Sequence, residues 1–434
     1  MNGNRFWLAA LTAAGMLAAA WAVAFGHWAV VPAAPDLLDK LPYAIAALGA
    51  GLALRFHRSR LVFAFALLAL AHGALAAVVP AGAGPGAGPG AGVNGQLLYP
   101  ALALLWPVTL TAVALSRDRG VFTRGGLRWW VAVALMAAAV LALAGRLPGV
   151  PAGLVAPARD LAVAGLHFRL LGPAFDAWTW LPQPAILAFL LGGVALLVRV
   201  VRDQATDDLA LLGALAAGAL ALHFVDRPAA PTWFLAAGAA AAFLALVQQA
   251  YGLAFLDELT GLPGRRALMT DMARLGARYA VAMVDIDHFK RFNDKHGHDV
   301  GDQVLRLVAV ELSRVGGGGR AYRYGGEEFT ILFPGATAAD AQPVLDAVRR
   351  AVAEADFRLR TRQRLKSNPN PRPRRRRGTA AAAPRLRVTV SMGVAEARPG
   401  GDGDAPPQVI KAADKALYRA KAGGRNRVVA APSG

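Results

Sequence analysis

The sequence contains no cysteine among its 434 residues. This absence excludes disulfide bonds, thiolate nucleophiles and metal sites built from thiolates. Charged residues are also scarce, at 17% of the chain, whereas hydrophobic residues make up 56%. A wholly soluble protein is normally much less apolar, so the composition predicts that part of the chain lies in a membrane.

Negative charge is in short supply as well, because 28 acidic residues face 47 basic ones and the formal net charge is +19. Such an excess suits either nucleic acid or the anionic inner surface of a membrane, and charge alone does not choose between them. The long apolar stretches favour lipid. We therefore expect the lipid bilayer as a partner and expect no nucleic acid.

The apolar stretches are confined to residues 1–250, and residues 251–434 have the mixed composition of a globular domain. A helix that spans a bilayer needs about 20 mostly apolar residues. The sequence therefore predicts an all-α polytopic membrane domain over 1–250 with about eight transmembrane helices. The predicted spans are roughly 6–26, 38–54, 61–79, 97–115, 129–145, 181–198, 209–225 and 231–250.

Basic residues distribute unevenly between the two sides of these spans. The N-terminus and the connections on its side carry Arg5, Arg55, Arg58, Arg60, Arg117, Arg119, Arg124, Arg128, Arg199 and Arg202. The opposite side carries Lys40, Arg146, Arg159, Arg169 and Arg227. Because basic residues are enriched on the cytoplasmic side, both termini are predicted to lie in the cytoplasm. Charged residues are absent near the centres of the spans, which favours anchoring or sensing over transport.

Two carboxylates follow the first strand-like run of the second half. Residues 279–284 are continuously apolar, which is typical of a buried strand, and Asp285-Ile286-Asp287 comes next. Alternate side chains of a strand share a face, so Asp285 and Asp287 are expected on the same side. Carboxylate oxygens are the ligands that Mg²⁺ prefers. A short Asp-x-Asp also occurs without any metal, and the pattern leaves both interpretations open.

An amide and a carboxylate follow at Asn293 and Asp302. A carboxylate can accept hydrogen bonds from the N1 and N2 donors of guanine while an amide matches the rest of that edge. The same residue types also cap helices and turns. An apolar stripe at helical spacing comes next and predicts a core-facing helix; it consists of Leu305, Val308, Leu312 and Val315.

The pair Gly325-Gly326 stands between two strand-like runs, the second of which alternates Phe329, Ile331 and Phe333. This pattern predicts a tight hairpin turn that admits positive φ. Glu327 and Glu328 directly follow the turn, where two neighbouring carboxylates repel one another. A bound cation would relieve that repulsion.

Two basic residues flank a glycine pair near the end of the chain. A helix is predicted over 408–422, preceded by a strand over 388–394, and Lys421 and Arg425 lie on either side of Gly423-Gly424. These cations either stabilise the C-terminal end of the helix or hold the oxygens of a triphosphate.

Six motifs together resemble the GGDEF family, over roughly residues 255–430. In chain order they are DELTGLPGRR, DIDHFKRFND, GHDVGD, GGEEF, VSMGVA and ALYRAKAGGRN, with the signature in its GGEEF form. The resemblance implies an α/β (α+β) palm-like nucleotidyl cyclase domain with a central sheet flanked by helices. It also implies a diguanylate cyclase, which condenses two GTP into cyclic di-GMP and two pyrophosphates, in the bacterial inner membrane with its catalytic domain in the cytoplasm.

The resemblance also implies roles for individual residues. Metal ligands would be Asp285, the Ile286 carbonyl, Glu327 and Glu328, holding two Mg²⁺ per active site, with Mn²⁺ as a substitute. Glu328 would either bind the second metal or help to deprotonate the attacking 3′-hydroxyl, and Glu327, Glu328 and Lys290 form the catalytic set. The remaining GTP contacts would come from Phe289 with Lys290 at the phosphates, Asn293 and Asp302 at guanine, Lys421 and Arg425 at the β/γ phosphates, and His298, Gly325 and Gly326. Since one domain binds one GTP, activity would require a homodimer.

Two departures from the family pattern stand out. Members inhibited by their product carry an Arg-x-x-Asp site where this chain has Gly316 and Gly319, so no such feedback site is expected. A basic, proline-rich stretch near 358–384 replaces a short hairpin and is predicted to be a disordered insertion, either simply solvated or in contact with anionic lipid or nucleic acid. Two alternatives to the cyclase remain: a catalytically silent receptor for GTP or cyclic di-GMP, and a transporter with a regulatory tail.

Overall fold

The computed structural model describes residues 2–25, 35–78, 93–118, 120–172, 178–227, 229–276, 278–355, 357–358, 385–397 and 405–432. The chain divides into two compact units, Met1–Ala250 and Tyr251–Gly434. The predicted insertion near 358–384 lies almost entirely outside the described residues. Its predicted disorder therefore stays a prediction.

The first unit is helical. Its helices are α1 (Asn2–Phe25), α2 (Pro35–Arg55), α3 (Ser59–Val78), α4 (Tyr99–Leu115), α5 (Arg124–Leu143), α6 (Ala152–Leu166), α7 (Gln183–Asp203), α8 (Thr206–His223) and α9 (Ala230–Phe255), with a π-helical turn at Asn94–Leu98 before α4. Within the described part of the chain, seven of these helices, all except α2 and α6, are long and apolar enough to cross a membrane. Seven such helices suggest a membrane protein.

The count of seven differs from the predicted eight spans in one helix. The segment predicted as the second span is helical, but α2 carries Asp39, Lys40 and Arg55, which lower its mean hydropathy. One further helix, α6, forms within what the sequence suggested was a long connection. At 15 residues α6 is shorter than the roughly 20 that a span requires.

Buried charges meet at one end of the helical unit. Asp208, at the start of α8, is only 1% exposed. It accepts hydrogen bonds from Arg60 of α3 at 2.9 Å and from Arg199 of α7 at 3.1 Å. Its neighbour Asp207 pairs with Arg58 at 3.3 Å. Each of these buried carboxylates therefore has an arginine partner, as buried charge requires.

The second unit is built around a mixed sheet. In chain order its elements are α10 (Arg265–Met272), β1 (Tyr279–Ile286), α11 (Phe289–His296), α12 (His298–Leu312), β2 (Arg320–Arg323), β3 (Glu328–Pro334), α13 (Ala338–Glu354), β4 (Phe357–Arg358), β5 (Arg385–Leu386), β6 (Val390–Glu396), α14 (Pro406–Ala422) and β7 (Val428–Ala430). The sheet order is β2-β3-β1-β6-β7. Strand β1 runs antiparallel to both β3 and β6, and β7 runs parallel to β6.

Helices cover both faces of this sheet because β1 is apolar on both of its faces. Val284 and alternate residues of β1 pack with Phe329, Ile331 and Val308 into a core that includes α12 and α13. Met283 and the other face pack with residues of α10 and α14, such as Leu417. The predicted central sheet flanked by helices is thus confirmed, as are the buried strand and the apolar stripe of α12. The two-residue ladder between β4 and β5 closes the ends of the insertion.

Candidate active site

A group of acidic side chains gathers at one end of the sheet. Asp285 is next to last in β1 and pairs in register with Glu328, the first residue of β3. The Asp285 side chain is buried, with 4% of its residue surface exposed, and its carboxylate lies 2.8 Å from the ammonium of Lys421 in α14. Three elements that are distant in sequence therefore bring two of the predicted metal ligands and one predicted phosphate ligand together.

The electrostatics of this end favour a cation. Burial raises the pKa of Asp285, and the ion pair with Lys421 offsets this only in part. Burial also raises the pKa of Glu327, and the negative charges of Asp285 and Glu328 raise it further. The negative charge of Asp285 thus disfavours ionisation of Glu327 in this partly desolvated site.

A divalent metal fits the chemistry of these donors. Carboxylates of Asp285, Glu327 and Glu328 and the carbonyl of Ile286, the last residue of β1, are all oxygen ligands of the kind that Mg²⁺ prefers. Among the described residues, no group of three or more acidic or histidine side chains is already arranged around a metal position. Lys421 supplies the positive charge at Asp285 instead.

Residues 324–327 form the turn between β2 and β3, so the predicted hairpin is confirmed. The N–H groups of Tyr324 and Gly325 both donate to the Glu328 carbonyl, at 2.9 and 3.1 Å. Neither Gly325 nor Gly326 uses the positive φ that such a turn admits. A Cβ on Gly326 would meet no atom within 4 Å, so the packing of the domain does not require glycine there and the space beside the turn is open.

Arg323 stabilises this turn by hydrogen bonds to its backbone, a role that was not predicted from the sequence. Its guanidinium donates to the carbonyls of Gly325 at 3.1 Å and Gly326 at 2.7 Å. It also pairs with Asp257 at 2.7 Å, and Asp257 accepts from both the N–H and the hydroxyl of Thr260. Burial raises the pKa of Asp257, but the bonds from Thr260 and Arg323 outweigh it and lower the pKa overall.

Asn293 has an unpaired polar atom. Its Oδ1 is buried in α11 and has no hydrogen-bond partner among the described residues. Gly301 of α12 lies against it, since a Cβ on Gly301 would overlap Oδ1 and come within 2.9 Å of Cγ. Buried polar atoms normally have partners, so an unpaired one indicates a place for a ligand donor. Asp302 follows Gly301 in α12 and is half-buried.

Other predicted contacts are spread more widely. Phe289 is 5% exposed and packs into the core, so any contact with substrate falls to its backbone. Lys290 follows it and is exposed at the start of α11, and His298 is exposed at the start of α12. Arg425 lies close enough to Asp285 for its charge to lower the pKa of that carboxyl.

Asp287 differs from Asp285 although the two share a motif. Its carboxylate accepts hydrogen bonds from the hydroxyls of Thr389 and Ser391, both at 2.7 Å, and from the N–H of Asn426 at 3.1 Å. Both of its oxygens are thus used within the protein. Only the first carboxylate of Asp-x-Asp belongs to the acidic group beside Glu327.

Comparison with known proteins identifies the second unit. Residues 254–367 match the family model described as diguanylate cyclase, GGDEF domain. The response regulator PleD of Caulobacter vibrioides is 36% identical over 185 residues, which cover 41% of this chain and 36% of PleD. The diguanylate cyclase VdcA of Vibrio cholerae is 44% identical over 103 residues, which cover 23% of this chain and 30% of VdcA. The chain thus spans about a third of the length of these curated relatives.

Among solved structures, the coiled coil and GGDEF domain of DgcB from Caulobacter crescentus, in complex with c-di-GMP, is 35% identical. The match covers 43% of this chain and 90% of that one, with a TM-score of 0.36. The family match and the relatives named as cyclases agree with the six motifs. The chain therefore carries a GGDEF domain, matched over residues 254–367.

Proposed function

We propose that the protein is a membrane-anchored diguanylate cyclase that condenses two GTP into cyclic di-GMP and two pyrophosphates. The observation that carries this proposal is the acidic group of Asp285, Glu327 and Glu328, paired with Lys421 inside a GGDEF domain. Relatives named as diguanylate cyclases support it. The seven apolar helices support the anchoring, with the catalytic domain on the cytoplasmic side of the bacterial inner membrane.

Recognition of GTP divides between two parts of the domain. The unpaired Oδ1 of Asn293 accepts a hydrogen bond from the guanine edge, and Asp302 accepts another. Lys421 and Arg425 hold the β- and γ-phosphates. Lys421 leaves Asp285 when it turns to the triphosphate, which frees that carboxylate.

The reaction itself is an in-line displacement. The 3′-oxygen of one GTP forms a bond to the α-phosphorus of the other, the bond from that phosphorus to the bridging oxygen breaks, and pyrophosphate leaves. Glu328 is the acceptor of the 3′-hydroxyl proton. Divalent cations, two Mg²⁺ or Mn²⁺, held by Asp285, the Ile286 carbonyl, Glu327 and Glu328 would neutralise the charge on the phosphate oxygens.

Two domains must act together, because closing the ring requires two such bonds and each domain holds one GTP. We therefore propose that a homodimer is the active form. Gly316 and Gly319 stand where a product-binding Arg-x-x-Asp site would be, so we expect no feedback through that site.

The test uses the full chain in detergent or nanodiscs with GTP and Mg²⁺, and products are followed by mass spectrometry. The wild type is expected to release cyclic di-GMP and pyrophosphate. Glu327→Gln, which keeps size but removes charge, is expected to bind GTP and lose at least about 100-fold in rate. The matched control Glu311→Gln changes a carboxylate on α12 that pairs with Arg314, and its rate should not change.

Equal product from wild type and Glu327→Gln would contradict the proposed site. GTP binding without product in a dimeric wild type would instead favour the silent receptor.

A further inference from the structure

The loop at residues 423–427, between α14 and β7, has an unusual backbone. Three successive residues lie in the left-handed region: Gly424 at φ 111°, Arg425 at 62° and Asn426 at 44°. Glycine adopts such angles freely, whereas arginine and asparagine do so at a cost. Conformations of this kind persist where surrounding contacts hold them, and they cluster at functional sites.

Asp287 is the charged group that holds this loop to the sheet. Its Oδ2 accepts the Asn426 N–H at 3.1 Å and the Thr389 hydroxyl at 2.7 Å, and its Oδ1 accepts the Ser391 hydroxyl at 2.7 Å. The Asp287 N–H donates in turn to the Thr389 carbonyl at 2.9 Å. With 8% of its surface exposed, the carboxylate is shielded from water, so these charge-assisted bonds are strong.

Other contacts fix the loop to β6, where the Met392 N–H donates to the Arg427 carbonyl at 2.9 Å, and to helices. The Arg425 N–H donates to the Ala420 carbonyl at 3.0 Å, and Arg349 of α13 donates to the Asn426 side chain at 2.9 Å. The Asp287 contact is the one that ties the loop to the end of β1, two residues from Asp285. It therefore sets where Arg425 stands relative to the acidic group.

We propose that Asp287 is a positioning residue for triphosphate recognition, which holds residues 423–427 so that Arg425 meets the β- and γ-phosphates of a nucleotide bound beside Asp285. This inference rests on the proposed function. A role in folding alone would make Asp287 equally important for every ligand, whereas positioning of Arg425 matters only for ligands that carry the outer phosphates.

The experiment compares two nucleotides on the full chain. The probes are the α,β-methylene analogue of GTP, which cannot be turned over at that bond, and GMP, which shares the guanine and lacks the outer phosphates. Asp287→Asn keeps the side-chain size but loses the charge that the Asn426 N–H binds. It is expected to weaken the triphosphate about tenfold and to leave GMP affinity within about twofold.

A double-mutant cycle with Arg425→Ala tests whether Asp287 affects triphosphate binding through Arg425. If Asp287 acts through Arg425, then adding Asp287→Asn to Arg425→Ala should cost no further affinity for the triphosphate. The matched control is Glu396→Gln, the same chemical change at the far end of β6, where the carboxylate accepts the Ala338 N–H at 2.8 Å. This control should bind both nucleotides as the wild type does.

Thr389→Val provides a second, milder variant should Asp287→Asn fold poorly. It removes one donor that orients Asp287 and keeps the charge, so the expected loss is about threefold for the triphosphate and none for GMP. Equal losses for both nucleotides, additive losses in the cycle or full triphosphate affinity in Asp287→Asn would each overturn the proposal. A wild type that binds neither nucleotide would refute the proposed function itself.

Discussion

Replacing Gly301 by alanine should separate the stability of the domain from its ability to bind GTP. Gly301 lies in the first part of α12, and a Cβ there would overlap Oδ1 of Asn293 and come within 2.9 Å of Cγ and 3.3 Å of Nδ2. All three atoms belong to the end of a flexible side chain. The Asn293 amide must therefore move, while the backbones of α11 and α12 can stay in place.

The substitution should change the stability of the domain and its affinity for GTP in opposite directions. For folding, alanine replaces glycine inside a helix, which stabilises by about 0.5–1 kcal/mol. For binding, the displaced amide no longer meets guanine, and an unmade hydrogen bond to a buried donor costs about 1–3 kcal/mol. The affinity for GTP should thus fall between about 5- and 150-fold while the domain becomes equally or more stable.

The assay measures the KM for GTP and the Tm of the full chain for the wild type, Gly301→Ala and a control. Gly316→Ala serves as the control, because a Cβ at Gly316 would meet nothing within 4 Å. An unchanged KM in Gly301→Ala together with an equal or higher Tm would refute the role of Asn293 in reading the base. A lower Tm would refute the reasoning that the side chain, and not the backbone, gives way.

Two further predictions concern ion pairs. The pKa of Asp257 is lower in the folded state, so its contribution to stability is fully present above its unfolded pKa of about 4 and is lost as the pH falls through the folded value. The Tm difference between wild type and Asp257→Asn should therefore be largest near pH 7 and shrink below pH 4. A difference that does not change with pH would contradict this. In the helical unit, Asp208→Asn removes the buried carboxylate that the half-buried Arg60 and Arg199 share, and it should cost about 3 kcal/mol. The exposed pair of Asp203 is the control, because Asp203→Asn should leave thermal unfolding in detergent unchanged.

Elements with a clear period were predictable from the sequence. The alternation of Phe329, Ile331 and Phe333 predicts that one face of β3 packs into the core, as it does. The register that places Glu328 opposite Asp285 does not follow from the alternation, because a shift of two residues would bury the same face. The helix ending at Ala422 was equally clear, because its apolar face repeats at helical spacing up to the glycines.

Lengths and isolated charges limited the prediction of the helical unit. A run of roughly 20 apolar residues identifies a span, but a shorter helix such as α6, which contains Pro157, Arg159 and Asp160, does not stand out from a loop. Helix α2 contains an apolar run, but the charged residues at its ends lower its mean hydropathy, so it is not among the seven described helices apolar enough to span a membrane. The predicted and observed helices thus differ at α2 and α6, where the local hydropathy lies between that of a membrane span and that of a loop.

Contacts between side chains distant in sequence were not predictable. Arg323 and Asp257 are separated by 66 residues. Asp257 sits in a segment whose composition suggests only a turn, and Arg323 ends a strand-like run. A basic residue two positions before the GGEEF signature was the one available signal. Nothing in its type shows that it supports the carbonyls of Gly325 and Gly326, because that role depends on where the chain before α10 returns.

Asp285 and Asp287 show why residue type and spacing cannot assign a role by themselves. Both are buried carboxylates at the same end of β1. Asp287 meets hydroxyl and N–H donors delivered by the start of β6 and by residue 426, and these donors stabilise its charge and fix it in place. Asp285 contacts Lys421 and lies near the negative charge of Glu327, so negative charge at this position is not fully neutralised without an added cation. The surrounding donors, which come from elements more than 100 residues away in the chain, therefore decide which carboxylate supports the fold and which is available for chemistry.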